Sequence, residues 1–349
     1  MNLIKTFRTS LKKYNYLHKS KHWEKYNNRK NLFFYSKLKN FRNNKLSEGL
    51  DDNYTIDFQR YLLKKIIDDV GDEFFFKNIN KKNIGNKKKT IKYKKLNIDG
   101  AQLFFVKWLY EIEKNISSKC KIRNTLEIGA GFGGLAEKII RNIKCKYIIM
   151  DLPEANLLSS YYLKKNFPKL KFLLSNQIID NEYLKYEHIK KYDIIILNPW
   201  TNIDPKIKFD LIINTRSMME MNKEAIHYYF KLIHKHISNN GFFFNVNRYV
   251  KDSVGYPIKL IDYPYDDNWK TIVSKKAWCQ EWIHQIIVKR EFGPNKDIKK
   301  ELNKIYFQTQ KYIFLLKMSH FYRRIKNFLN KLVSFIVKST NNSFFQSRR

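Results

Sequence analysis

The stretch Thr125-Leu-Glu-Ile-Gly-Ala-Gly-Phe-Gly-Gly-Leu-Ala-Glu137 limits what this chain can fold into more than any other part of it. A short apolar run delivers Gly129, Gly131 and Gly133 into a turn at the start of an amphipathic segment. Glycines let the backbone bend tightly and approach a ligand closely, and a helix N-terminus offers free N–H groups with a partial positive charge. The order strand, glycine turn, helix is the opening unit of a wound α/β sheet. By itself it suits a dinucleotide site, or a turn that binds nothing, as well as any other ligand.

Two acids narrow the choice. Glu127 precedes the first glycine by two positions, and Asp151 ends the next apolar run, YIIMD, 18 residues after Gly133. An acid at the end of a second strand is placed to accept hydrogen bonds from ribose hydroxyls. An acid just before the first glycine favours a ligand that carries positive charge and no pyrophosphate. S-adenosylmethionine, with an ammonium, a sulfonium and a ribose, has that chemistry.

The surrounding pattern predicts the rest of the sheet. From Thr125 to Tyr249, runs rich in β-branched and aromatic residues alternate with amphipathic stretches. That alternation predicts a mostly parallel sheet with helices on both faces. The expected strands are TLEIG, YIIMD, KFLLS or YDIIILN, FDLIIN and GFFFNVN, and the expected helices are 134–143, 153–166 and 219–238. Residues 1–100 read as a helical, basic N-terminal region, with Phe58, Leu62, Ile66 and Val70 on one side of a helix. Residues 101–296 hold the α/β domain. Residues 297–349 read as a basic amphipathic helix and tail, with Phe321, Ile325, Phe328, Leu332 and Ile336 in one stripe and Arg323, Arg324, Lys326, Lys331 and Lys338 mainly away from it. Such a helix can lie in an anionic membrane interface or pack its stripe on the domain.

Motif and order together resemble the class I S-adenosylmethionine-dependent methyltransferases, and the longer pattern resembles the bacterial sugar O-methyltransferases. The resemblance spans residues 84–290: Ile84-Gly85-Asn86 and Gly100, LEIGAGFGGLAEKI, IIMDLPEANLLSSYYL, LIINTRSMMEM with Tyr229-Phe230, and NVNRY. It implies a Rossmann-like fold that binds S-adenosylmethionine through Glu127, Gly129, Gly131, Gly133, Asp151 and Leu152. Asn176 and Gln177 would meet the adenine if KFLLS is the third strand. It also implies methylation of a sugar hydroxyl in surface-polysaccharide assembly, with a nucleotide-linked or lipid-linked acceptor. The expected place is the cytoplasm, with peripheral contact at the inner membrane face as an option.

Removing a hydroxyl proton during methyl transfer calls for a base near the strand ends. After FDLIIN, Glu220, Glu224 and His227 share one helix face, and Glu220 lies nearest the strand end. Glu220 is therefore the expected base and His227 the alternative, with Asn214 and Ser217 as hydrogen-bond partners. Asn247 and Arg248 end GFFFNVN, where Arg248 could grip a phosphate or sugar oxygen in bidentate fashion. Gly85, Asn86 and Tyr93 lie in a Lys-dense segment that could close over an anionic acceptor, and Trp269, Trp278, Trp282 and His284 could wall a sugar ring or fill the core.

The net charge of +36 needs discounting, because 36 Asn against six Ala indicates a bias towards A/T-rich codons, Lys among them. Its distribution says more: residues 303–349 hold ten Lys and Arg and no acid. Positive fields favour polyanions of several kinds, nucleic acid included. Asn198-Pro199-Trp200 partly resembles the loop with which base methyltransferases hold a flipped base, although its second proline is missing. A base methyltransferase is thus the alternative reading, and a catalytically silent membrane scaffold the third. Cys120, Cys145 and Cys279 lie far apart without metal-ligand spacing, so neither a disulfide framework nor a zinc site is expected; Asp266-Asp267 is not assigned to a metal. No run is long and apolar enough to span a bilayer, and the N-terminus lacks a signal-peptide core, so a cytoplasmic protein is the default.

Overall fold

A computed structural model describes residues 3, 4, 7, 10, 20–24, 35–43, 54–178, 183–291, 293 and 297–346. Most of the basic stretch 1–19 lies outside the described residues, as do the side chains of Lys331, Leu332, Ile336 and Lys338.

The centre is an eight-stranded sheet. Its strands are β1 (Asn124–Ile128), β2 (Lys146–Met150), β3 (Phe172–Leu174), β4 (Ile194–Leu197), β5 (Phe209–Thr215), β6 (Ile237–Arg248), β7 (Trp269–Ala277) and β8 (Gln280–Arg290). Their order is β7-β8-β6-β5-β1-β2-β4-β3. From β3 to β6 every pairing is parallel, and β8 joins β6 antiparallel. The chain winds outward from β1 on one side and returns to β5 on the other, so the direction of winding reverses between β1 and β5. Crevices for ligands open at the carboxyl ends of strands at such a reversal.

Alternate residues of the central strands feed two apolar clusters, one on each face. Tyr147 and Ile149 join the first, and Ile148 and Met150 the second. This is why the strands read as unbroken apolar runs rather than alternating ones. Helices α4 (Gly134–Ile143) and α5 (Pro153–Asn166) follow β1 and β2 with the expected bounds, and α6 (Lys223–His236) starts four residues later than the sequence suggested because Met218–Glu220 forms a separate tight turn first.

Ahead of the sheet, α1 (Ile56–Val70) is capped by the Thr55 hydroxyl, which accepts from Phe58 N at 3.3 Å. Helices α2 (Asp72–Asn78) and α3 (Gly100–Ile112) follow. Leu62 and Phe75 share one cluster with Leu103 and Leu109 of α3 and with Ile149 of β2, so these helices pack into the core that covers the sheet. Asp99 caps α3 and is gripped by Arg42, with Nη2 2.7 Å and Nη1 3.0 Å from its two oxygens. Burial alone would raise the Asp99 carboxyl, but the Arg42 guanidinium outweighs it and brings it down to about 2.

Both KFLLS and YDIIILN form strands. YDIIILN, as β4, pairs with β2, and KFLLS, as β3, lies one strand farther out at the sheet edge. Strands β7 and β8 form an antiparallel hairpin that the sequence pattern did not reveal. Helix α7 (Asp297–Gln346) closes the chain; Ile298, Ile305 and Tyr312 are buried, whereas Phe321, Ile325 and Phe328 are exposed, so that part of the stripe does not pack on the domain.

Candidate functional site

The carboxyl ends of β1, β2 and β5 open into a cleft of about 130 Å³. Its floor is Glu127, Gly129, Ala130, Gly131, Asp151 and Leu152, one wall carries Phe104, Phe105, Trp108 and Phe132, and Thr215 to Met221 supply most of the opposite side.

The glycine turn is held from both sides. Gly129 has φ +76°, and a Cβ there would stand 2.1 Å from Ser217 Oγ. Only glycine meets both conditions. Ser217 Oγ donates to Ile128 O at 3.1 Å, which ties the loop after β5 to the end of β1. Gly131 N donates to Asp151 Oδ2 at 2.8 Å, and Leu152 N to Asp151 Oδ1 at 2.7 Å, so Asp151 clasps the turn to the end of β2. Glu127 accepts from the Tyr147 hydroxyl at 2.7 Å. Glu127 is buried and Asp151 partly so. Burial pushes Glu127 up to about 8, the Asp151 charge adding to it and the Tyr147 bond opposing it. Burial likewise lifts Asp151 to about 7, against its two N–H partners. Two carboxyls so placed gain most from a ligand that brings positive charge and hydroxyl donors to them.

At the other side, Glu220 is buried and paired with Lys251, and its Oε2 lies 3.4 Å from His22 Nε2. Burial lowers the Lys251 pKa; Glu220 opposes that, while Arg248 and Arg216 add to it. Ser20 and Trp23 also line the cleft, so residues 20–24 form part of its wall.

The structure brings seven of the expected residues to the cleft lining: Glu127, Gly129, Gly131, Asp151, Leu152, Ser217 and Glu220. Gly133 stands just behind, as the left-handed N-cap of α4. Asn214 and Asn247 are close but buried beneath the loop. Asn214 Nδ2 donates to Ile128 O at 2.8 Å, Asn247 Nδ2 donates to Asn214 Oδ1 at 2.8 Å, and Asn247 Oδ1 accepts from Met219 N at 3.1 Å. Their work is to hold the turn that carries Glu220. Arg248 ends β6 outside the lining.

The other expected residues lie outside the cleft lining. Asn176 and Gln177 follow the edge strand β3 and are not in the lining, because β4 takes the place beside β2. His227 sits on an exposed turn of α6, bonded to Lys223 O at 2.8 Å, and faces a separate small cavity with Ile258 and Tyr263. Gly85 packs on Phe41, and its carbonyl accepts from Arg42 N at 3.0 Å; Asn86 Nδ2 donates to Asn40 Oδ1 at 2.8 Å. This segment is thus a brace for the turn that carries Arg42. Tyr93 stacks on Phe76 at 5.8 Å, beside a different surface hollow. Of the aromatic group, Trp269 is fully buried, Trp278 packs on Phe104, Trp282 packs on Tyr312, and burial pushes His284 down to about 4; none lines the cleft. Asn198 Nδ2 donates to Ser10 Oγ at 3.1 Å, and Pro199 O accepts from the Tyr228 hydroxyl, so the Asn-Pro-Trp loop also stays outside the lining.

Sequence reasoning missed His22, Trp23, Arg216 and Lys251. His22 and Trp23 are nearly 200 residues from Glu220, and no spacing rule links them. Arg216 carried one local signal, its place directly after β5 in a turn; the structure gives it φ +62°.

No protein-family profile matches the chain, and no curated protein matches it in sequence. Solved structures similar to it include the N-methyltransferase NodS from Bradyrhizobium japonicum, at 12% identity and TM-score 0.33 over 54% of this chain and 97% of that one. A methyltransferase from Pyrococcus furiosus gives 13% and 0.32 over 54% and 85%. A mutant of MtNAS in complex with S-adenosylmethionine gives 10% and 0.35 over 71% and 83%.

Proposed function

We propose that the chain is an S-adenosylmethionine-dependent methyltransferase whose acceptor is a sugar hydroxyl. The observation that carries the first half is the placing of Glu127 and Asp151, two cleft-lining carboxyls with raised pKa values, at a glycine turn in an aromatic-walled cleft. Glu127 would hold the ammonium and Asp151 the ribose hydroxyls, with the backbone of Gly129 and Gly131 allowing close approach. Bound there, S-adenosylmethionine supplies an electrophilic methyl group.

The chain's own contribution to the transfer lies on the β5 side. Glu220 is the group that accepts the proton of the acceptor hydroxyl, and Lys251 and His22 orient its carboxylate. Trp23 and the wall from Phe104 to Trp108 keep water from the cleft. Arg216 in the lining favours an acceptor that carries negative charge, such as a nucleotide-linked or lipid-linked sugar in surface-polysaccharide assembly.

Calorimetric titration with S-adenosylmethionine tests the cofactor. Micromolar binding is expected, and its loss in Asp151→Ala; a folded wild-type protein that binds none would end the proposal. Glu220→Gln tests the base separately: cofactor affinity stays nearly unchanged while methyl transfer falls by roughly 10²–10⁴-fold. Unchanged turnover would remove Glu220 from the mechanism.

A further inference from the structure

The C-terminal helix leaves the body of the protein after Tyr312. Up to that point it is anchored. Ile298, Ile305 and Thr309 are buried, and Tyr312 stacks on Tyr249 at 5.0 Å and meets Trp282 at 4.5 Å. Beyond it, all side chains from Phe321 to Asn330 are exposed. They include Phe321 at 61%, Tyr322 at 67% and Phe328 at 64% of full exposure.

This is a large apolar surface for a protein to present to water, and it is ordered around the helix. At about 100° per residue, Phe314, Met318, Phe321, Tyr322, Ile325 and Phe328 fall within an arc of roughly 120°. On the same wheel Lys317 and Arg324 flank one edge of the arc, Lys326 flanks the other, and Arg323 lies opposite. No Asp or Glu occurs after Glu301.

We propose that residues 314–330 dock on an anionic lipid surface, with the helix lying in the interface plane, its apolar arc in the headgroup and acyl boundary and its basic flanks against lipid phosphates. Charge decides between this occupant and a second copy of the chain. Two paired helices need opposite charges along the edges of their seam, and here both edges are cationic, so two copies would repel. An anionic leaflet attracts the same edges. No described helix is long and apolar enough to cross a membrane, which agrees with a helix that lies in the surface. Because Tyr312 fixes the start of this segment to the β7–β8 hairpin side of the domain, docking would hold the whole domain at the membrane.

The test is co-sedimentation of the full-length protein with vesicles of phosphatidylcholine containing phosphatidylglycerol, and with vesicles of phosphatidylcholine alone. Binding to the anionic vesicles is expected, weakened by salt and at least about tenfold weaker on the neutral ones. Phe321→Ser with Phe328→Ser should weaken it by about a hundredfold. Arg324→Glu with Lys326→Glu, which leaves the apolar arc intact and reverses one charge on each of its edges, should weaken it by about tenfold or more. Circular dichroism of each variant confirms that the helix persists. The proposal is overturned if wild-type protein stays in the supernatant, if both variants bind as wild type does, or if sedimentation without lipid shows a stable dimer that Phe321→Ser with Phe328→Ser dissociates.

Discussion

Glu127→Gln isolates the buried carboxyl on the floor of the cleft. In an unfolded chain the Glu127 carboxyl ionises near 4.5, and in the folded protein burial holds it protonated up to about 8. Between those values folding takes up a proton at this site. The stability it contributes is therefore complete below about pH 4.5 and is lost as pH rises towards 8, at about 1.4 kcal/mol per pH unit. From about pH 6 to about pH 7.5 that amounts to about 2 kcal/mol. The glutamine that replaces Glu127 has nearly the same shape, keeps an acceptor for the Tyr147 hydroxyl and does not titrate. Asp151, raised from 3.8 to about 7, gives both proteins a similar slope of the same sign, which largely cancels in the comparison. Urea unfolding followed by circular dichroism, without added ligand, at several values across that range should show the Glu127→Gln protein gaining on wild type by about 1.4 kcal/mol for each unit. Parallel curves would refute the reasoning, since they would mean that Glu127 is already ionised in the folded state. The same linkage makes affinity for a cationic ligand rise with pH until Glu127 is ionised, and makes its binding release protons.

Three further substitutions test how the site is held. Gly129→Ala places a methyl group 2.1 Å from Ser217 Oγ at a φ of +76°, so overpacking and backbone strain of roughly 1–3 kcal/mol are expected, read as a lower urea midpoint. Ser217→Gly in the same chain should recover the overpacking part only. Arg42→Ala leaves Asp99 buried without its guanidinium and should cost roughly 3–5 kcal/mol near neutral pH. Because the Asp99 pKa is depressed to about 2 against 3.8 unfolded, the stability from this pair is present above about pH 4 and fades as pH falls towards 2, so the gap between wild type and variant should narrow there.

The parts of this site that could be read from sequence are those that one strand-turn-helix unit specifies locally. Glu127, Gly129, Gly131 and Asp151 sit at strand ends, where the apolar runs fix which residue comes last and the positive φ values require glycine. Glu220 was within reach for the same reason, being five residues beyond the end of β5. The expected residues that lie outside the lining depended on long-range geometry, apart from His227, which was grouped with Glu220 on a helix that starts only at Lys223. Asn176 and Gln177 were misplaced because two apolar runs of similar length compete for the place beside β2. Local pattern does not encode which one wins; β4 takes the inner position with four fully buried residues and leaves β3 at the edge. Gly85 and Asn86 read as a segment that closes over an anionic acceptor because Lys dominates it, but a left-handed glycine whose added Cβ would meet the Phe41 ring at 2.5 Å is a packing position.

The contact between His22 and Glu220 follows from the same limit and has a functional side. The proposed base is oriented by one residue, Lys251, carried just beyond β6, and by another, His22, carried on a separate segment before the sheet. A carboxylate buried against a single lysine could rotate about its terminal bond, which has a broad torsional well. A second cationic or hydrogen-bonding partner on its other oxygen restricts that rotation and so fixes where an acceptor hydroxyl can present its proton. The cleft therefore depends for its chemistry on a segment that contributes nothing to the sheet. For that reason the residues that best define the fold, the glycine turn and its acids, identify a ligand class, while those that would select the acceptor lie where sequence periodicity carries no signal.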